Sequence, residues 1–308
     1  MSVYSVVTHP QLNQFFSHYP LGKVLSYEGI QNGIDNTNYF VTTTEGEFVL
    51  TLFESLNADE LPYFINLLLY LGQINLPCPR IKLDKQCQPL RELNNKQAAV
   101  FNRFPGRAAL SPSIAHCHQI GLYLGKLHQH TQHYDFPISS NHDLRWCKTV
   151  FHKIEGHLTA TDRALINNEM CFQANNAVAD LPRGLIHGDL FRDNVLFVDD
   201  KLSGLLDFYS AGTGILLLDI AITANDWCYD NKVCNFEKLA ALLSAYESVR
   251  PLEPSEKQNW PVQLRAAALR FWLSRLKHQI YPRAGAIIQQ KDPQIFRQQL
   301  RQYRQQWL

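Results

Sequence analysis

Residues 185–209 read LIHGDLFRDNVLFVDDKLSGLLDFY, and the rest of the chain is best understood outward from them. Three apolar runs, at 184–186, 195–198 and 202–206, are short, which predicts buried strands rather than helices. Asp199-Asp200-Lys201 supplies the turn that joins the last two as a hairpin. His187, Asp189 and Asn194 then fall around the loop between the first and second strands, and Asp207 at the end of the third.

That placement suits one kind of chemistry. The spacing His-x-Asp-x4-Asn, with Asp207-Phe208 following, is the catalytic-loop spacing of kinases and places a second metal-binding aspartate at 207. Phosphoryl transfer from ATP needs a carboxylate beside the attacking hydroxyl and Mg2+ held by hard oxygen ligands. Asp189 is the candidate base, accepting the alcohol proton and aiming the oxygen at phosphorus. Asn194 and Asp207 offer a carbonyl oxygen and a carboxylate to the metal. Singly, each residue has a plainer explanation: Asp and Asn are common turn residues, and His187 could be a satisfied buried histidine. Four of them at these spacings on one strand–loop–hairpin unit favour the functional reading.

Bulk properties narrow the alternatives. A chain of 308 residues with 45% hydrophobic and 19% charged residues is an ordinary globular protein with room for two lobes. A net charge of +1 gives no electrostatic footprint for nucleic acid or an anionic membrane. Apolar runs are too short to span a bilayer, and the N-terminus does not read as a signal peptide. Seven cysteines without C-x-x-C spacing predict reduced thiols in a cytoplasmic protein.

Upstream, residues 24–29, 38–43 and 48–53 predict three antiparallel strands. The Gly29–Gly33 stretch between the first two, with Asn32 and Gly33, is the candidate phosphate cover. Asn-Gly is equally a hairpin signal. The third strand, FVLTLFE, has Thr51 where kinases carry their phosphate-positioning lysine. An amphipathic helix over 58–74 follows, and its Glu60 stands where that lysine's glutamate partner belongs, or on a solvated helical face. A hairpin over 81–101 ends in the strand Gln97–Phe101. The loop after it, Asn102 to Gly106, would serve as an adenine-binding hinge, with Phe101 and Arg103 at the nucleotide, or as a plain linker. The lobes are therefore expected to be 1–101 and 102–308.

Downstream elements read mainly as helices. One covers 112–131, capped by Ser111 with Pro112 at its start. Its histidines, 116, 118, 128 and 130, with His133 beyond, lack a common face and a carboxylate cluster, so they do not predict a metal site. Two helical segments lie in 145–180 and one in 215–227, where Asp219 on an apolar face would brace the catalytic loop through backbone N–H groups. Only residues 208–214, ending in Ser210–Gly214, separate Asp207 from that helix, and no Ala-Pro-Glu motif follows. This leaves no activation loop and points to a small substrate, not a peptide. Helices are expected over 237–250 and 260–281, and an amphipathic one in 288–308. Arg265, Arg270 and Arg275 recur every five residues, which spreads them around the helix: a solvated or salt-bridged face for most, with one or two free to meet a cleft.

HGDLFRDNVLF followed by LLDFYSAG resembles the aminoglycoside-phosphotransferase-like kinases, which act on small alcohols. NGIDNTNYFVTTTEGEFVLTLFE, FPGR at 104–107, LGKLH at 124–128 and DIAITANDWC are similar to the bacterial homoserine kinases of that branch. The resemblance spans about residues 24–280. It implies an α+β, two-lobed protein-kinase-like fold, with a small antiparallel-sheet N-lobe and a mainly helical C-lobe. It also implies ATP and Mg2+ as cofactors, Asp189 as base, Asn194 and Asp207 as metal ligands, His187 as loop support, and O-phospho-L-homoserine as product. Such a substrate carries an ammonium and a carboxylate, so Asp35, Tyr209 and Asp226 are candidates for the first, Arg270 and Arg275 for the second, and Trp227 for a pocket wall. The residues alone argue for an ATP-dependent alcohol kinase; choline, ethanolamine, methylthioribose or an aminoglycoside would equally supply the hydroxyl, and a nucleotide-binding pseudokinase is the non-enzymatic reading. Oligomeric state is left open.

Overall fold

The computed structural model describes residues 5–30, 36–54, 60–132, 143–282 and 291–306. The chain divides into two compact units between Pro105 and Gly106.

The first unit is built on an antiparallel sheet. Helix α1 (His9–Phe16) is capped by Thr8 in a reciprocal box with Gln11, with Pro10 in its first turn. Strands β1 (Val24–Gly29), β2 (Asn36–Thr43) and β3 (Gly46–Phe53) follow, then helix α2 (Glu60–Gln73) and strands β4 (Ile81–Lys82), β5 (Arg91–Leu93) and β6 (Lys96–Asn102). The sheet order is β1-β2-β3-β6-β4, with β5 also on β6. Asn94 and Asn95 both adopt positive φ, the conformation a two-residue β5–β6 hairpin requires. Leu12, Phe15 and Phe16 of α1 pack with Tyr39, Val41, Leu50, Leu52, Ala98 and Val100 of the sheet. The buried residues of α2, Leu61, Phe64, Ile65, Leu67, Leu68 and Leu71, form one side of the helix.

The unit boundary lies beyond residue 101 for a local reason. β6 runs through Asn102, whose N–H donates to the Arg80 carbonyl, and the Arg103 N–H reaches the Glu47 carbonyl, so both residues stay with the sheet.

The second unit is mainly helical. It opens with strand β7 (Arg107–Ala108) and helices α3 (Ile114–Thr131), α4 (Leu144–Ile154) and α5 (Ala160–Asn175). Strands β8 (Arg183–Ile186), β9 (Val195–Val198), β10 (Lys201–Leu205) and β11 (Gly212–Ile215) come next, then α6 (Leu216–Trp227), the small hairpin β12 (Tyr229–Asp230) and β13 (Val233–Cys234), and helices α7 (Phe236–Glu247), α8 (Pro254–Ile280) and α9 (Gln294–Gln306). β9 pairs with β10 and β7, while β11 pairs antiparallel with β8. The turn between β9 and β10 places Asp199 and Asp200 at positive φ.

Two helix starts differ from expectation. α3 is capped by Ser113, which forms a reciprocal box with His116, rather than by Ser111. α8 begins at Pro254, six residues before the expected start; Glu253 and Glu256 make its cap, and Pro261 lies inside the helix. Among the described residues, no helix is long and apolar enough to cross a membrane.

α3 and α7 approach closely through glycine. A Cβ at Gly121 would lie 2.1 Å from the Leu242 carbonyl oxygen, and one at Gly125 would lie 3.1 Å from that of Tyr246. Backbone on the far side cannot step aside as a flexible side chain does. Gly121→Ala is therefore expected to destabilise the protein by about 1–3 kcal/mol through overpacking, and Gly125→Ala by clearly less. Urea denaturation of both variants checks this; equal stability would contradict the close approach.

Candidate active site

The loop after β8 is built around a buried anion. Asp219, in the first turn of α6, is wholly buried. Its Oδ2 accepts the His187 N–H at 2.7 Å and its Oδ1 the Gly188 N–H at 2.8 Å. His128 of α3 adds its Nε2 to Oδ2 at 3.1 Å. Burial acts to raise the Asp219 carboxyl, but the hydrogen bonds from His128 and Gly188 and the neighbouring histidines outweigh it, leaving the carboxyl below its usual range. The network continues: the other His128 nitrogen meets the Tyr246 hydroxyl at 2.8 Å, and that hydroxyl accepts from Arg250 Nη1 at 3.2 Å. Arg250 also pairs with Glu256 at 3.0 and 3.1 Å.

Gly188 has φ +75°, and a Cβ there would come within 2.8 Å of the Ser210 carbonyl. Only glycine fits the turn that delivers Asp189.

His187 ties this loop to the segment carrying Asp207. Burial lowers its pKa, so the ring is neutral. Nε2 donates to the Leu206 carbonyl at 2.9 Å, and Nδ1 receives the Asp189 N–H at 3.3 Å. The Leu206 N–H in turn donates to the Asn194 carbonyl at 2.8 Å. The residue just before Asp207 is thus held on one side by His187 and on the other by Asn194. Asp207 itself has φ 62° and ψ 57°, left-handed geometry that aspartate tolerates better than most residues.

Asp189 and Asn194 are in direct contact. Asn194 Nδ2 donates to the Asp189 carbonyl at 2.9 Å and lies 3.4 Å from its Oδ2. Burial and the negative charge of Asp207 push the Asp189 carboxyl up to about 8, against the pull of Arg270 and Lys291. Two carboxylates that raise each other's proton affinity form a site that a divalent cation would relieve. With Nδ2 turned to Asp189, the Asn194 Oδ1 remains as an acceptor. Among the described residues, no group of three or more His, Cys, Asp or Glu is arranged to hold a metal. A carboxylate and an amide oxygen are hard donors that suit a cation drawing its other oxygens from phosphates and water, as Mg2+ does.

The other expected site residues fall in several places. Asp226 was expected at an ammonium group. Its Oδ2 instead accepts the Arg192 backbone N–H at 2.8 Å and Nε at 3.2 Å, so it braces the loop after Asp189. Trp227 was expected to line a pocket, but it is completely buried, and its indole N–H donates to the Leu190 carbonyl at 3.0 Å. Tyr209 lies partly buried in the short turn after Asp207. Arg275 donates to the Asp292 carbonyl at 2.8 Å and lies over the Phe296 ring. Arg270 is buried. Arg265 forms a buried pair with Glu169 at 2.7 Å, the salt-bridged arrangement expected for most of the three.

In the first unit, Thr51 is buried in β3 and its hydroxyl donates to Asn38 Oδ1 at 2.7 Å. Phe101 is buried in β6 opposite Val49 and Ile81. The Arg103 guanidinium stacks 4.0 Å from the Phe40 ring and pairs with Glu47 at 3.2 Å. Glu60 opens α2, partly buried. Asn32, Gly33 and Asp35 lie outside the described residues.

Sequence reasoning missed His128, Trp227 and Arg192 as supports of the loop. For His128 a signal was available: a histidine on the inner face of α3 and an aspartate on an apolar helix are two buried polar groups that must find partners.

The model of the phosphotransferase enzyme family matches residues 26–252. A homoserine kinase of Methylobacillus flagellatus is 41% identical over 298 residues, covering 96% of this chain and 93% of that protein. One from Methylobacillus glycogenes is 40% identical over 302 residues, covering 98% and 95%. Among solved structures, an amicoumacin kinase in complex with AMP-PNP and Ca2+ superposes with a TM-score of 0.70 at 14% identity, covering 97% of this chain and 93% of that one, which shows a shared protein-kinase-like fold. The chain belongs to the homoserine kinases of the phosphotransferase enzyme family.

Proposed function

We propose that this chain transfers the terminal phosphoryl group of ATP to the hydroxyl of L-homoserine, giving O-phospho-L-homoserine, a precursor of threonine. Membership among the homoserine kinases supports the substrate. The observation that carries the mechanism is the linkage of Asp189, Asn194 and the Leu206–Asp207 segment through His187 and the Asn194 backbone.

Asp189 accepts the hydroxyl proton as the oxygen bonds to phosphorus and the bridging bond to ADP breaks. Orientation is its larger contribution, since the loop around it is fixed at His187, Gly188, Leu190 and Arg192. Asn194 Oδ1 and the Asp207 carboxylate would hold Mg2+, which when bound draws off charge from the phosphate oxygens. Thr51, bonded to Asn38, occupies the position of the phosphate-positioning lysine, so that role passes to other groups. Asn32 and Gly33 are proposed to cover the phosphates, Phe101 and Arg103 to lie toward the nucleotide, and Asp35 or Tyr209 to meet the substrate ammonium.

A coupled assay of ADP release across L-homoserine, choline, ethanolamine and methylthioribose tests the substrate. The highest kcat/KM is expected for L-homoserine; turnover of choline with none of homoserine would overturn the reading. Asp189→Ala should lower kcat by at least about a hundredfold while sparing Mg-ATP affinity, whereas Asp207→Ala should weaken Mg-ATP binding itself. Calorimetric titration of both variants separates the two roles.

Asp219→Asn should cost about 2–4 kcal/mol of stability, because an amide cannot accept from both loop N–H groups and His128 at once. The wild-type carboxyl lies lower folded than unfolded, so its stabilisation is complete above the unfolded value of about 4 and fades as pH falls through the folded one. The variant should lose this part of the acid limb. Denaturation midpoints from pH 3 to 7 measure it, and parallel curves for the two proteins would contradict the network.

A further inference from the structure

We infer that Arg270 is the counter-ion that receives the substrate carboxylate, and so selects an amino-acid alcohol over a plain amino alcohol. This rests on the homoserine reading of the site and adds the residue that enforces it.

Two arginines on α8 make the contrast. Arg265 and Arg270 are each 4% exposed. The Nε and Nη2 of Arg265 lie on the carboxylate of Glu169, at 3.0 and 2.7 Å. Arg250, just before the helix, is likewise met on both Nη atoms by Glu256. The Nη1 of Arg270 is buried and has no hydrogen-bond partner among the described residues. A guanidinium cannot shed its charge to escape burial, and its fork geometry matches a carboxylate. Among the described residues, an acid thus meets the guanidinium of Arg250 and of Arg265, while Nη1 of Arg270 meets none.

The position of Arg270 completes the argument. Its guanidinium lies with its carbon 4.7 Å from the centroid of the Phe271 ring. No hydrogen bond joins it to Asp189, whose Oδ2 is approached by Asn194. The next residue, Phe271, packs 4.5 Å from the ring of Phe191, two residues after Asp189, which fixes this part of α8 against the loop. No ion pair joins Arg270 to Asp189 among the described residues. A three-carbon backbone separates the hydroxyl of homoserine from its carboxylate, so a substrate with its hydroxyl at Asp189 can extend the carboxylate to Arg270. A ligand without that carboxylate leaves the buried cation unpaired, which is the condition for strong discrimination.

The test compares L-homoserine with 3-aminopropan-1-ol, which lacks only the carboxylate, in the full-length wild type, Arg270→Met and Arg270→Lys. For L-homoserine, Arg270→Met should lower kcat/KM by about a hundredfold or more, mainly through KM, with Arg270→Lys recovering part. For 3-aminopropan-1-ol the loss in kcat/KM should be smaller by about tenfold or more, since only the effect on Asp189 reaches that substrate, and KM for ATP should not move. Parallel losses on both substrates would make Arg270 a structural support and overturn the assignment, as would an unaltered homoserine KM. If Arg270→Met does not fold, the Arg270→Lys variant and wild-type turnover of L-homoserine amide decide: equal use of homoserine and its neutral amide by the wild type overturns the assignment. Absence of any wild-type homoserine phosphorylation would overturn the functional reading and this assignment with it; wild-type turnover insensitive to Arg270 overturns this assignment alone.

Discussion

A carboxylate sealed away from water must find its donors within the protein, and Asp219 finds two of them in the backbone of the loop that carries Asp189. This one constraint sets the rest. The His187 and Gly188 N–H groups cannot leave without stranding a buried negative charge, so the loop has a single conformation. Once His187 is fixed, its ring reaches the Leu206 carbonyl, and the segment carrying Asp207 is placed by the same contact. The loop that carries Asp189, and the residue just before Asp207, are held largely through their peptide groups.

Rigidity here comes from apolar packing as much as from hydrogen bonds. Phe191 packs with Phe271 of α8 and Phe296 of α9, with ring centroids 4.5 and 6.0 Å away, and those two rings lie 5.4 Å from each other. Trp227 grips Leu190, and Asp226 grips Arg192. Each residue from 187 to 192 is therefore bonded or packed to an element distant in sequence, apart from Asp189, whose side-chain neighbour Asn194 belongs to the same loop. An aligned nucleophile depends on such fixed surroundings, because small displacements of the reacting atoms are costly in rate.

Much of this was legible in the sequence where the determinants are local. The His-x-Asp-x4-Asn spacing, the Asp-Asp-Lys turn and the apolar runs around them all lie within one span, and the strands form where those runs predict. Residues whose roles depend on distant partners were not legible. Asp226 and Trp227 look like site residues because they end an apolar helix that begins soon after Asp207; that Arg192 and Leu190 take them up is a tertiary fact. Gly212–Ile215 reads as a glycine-rich loop and becomes a strand only through pairing with β8. The start of α8 was obscured because Pro254 and Pro261 both resemble a first-turn proline, and the choice rests on the Glu253–Glu256 cap. His128 lay among several histidines, and although it falls on the inner face of α3, its partner is an aspartate on another helix, which spacing within α3 does not reveal.

The aromatic trio has a consequence for how the chain is made. Phe191 leaves the ribosome well before Phe296, so the growing polypeptide carries an apolar loop whose final covering has yet to be synthesised. Until α9 arrives, the nascent loop lacks one wall of its packing. A chaperone that shields exposed phenylalanine would find its client in that interval.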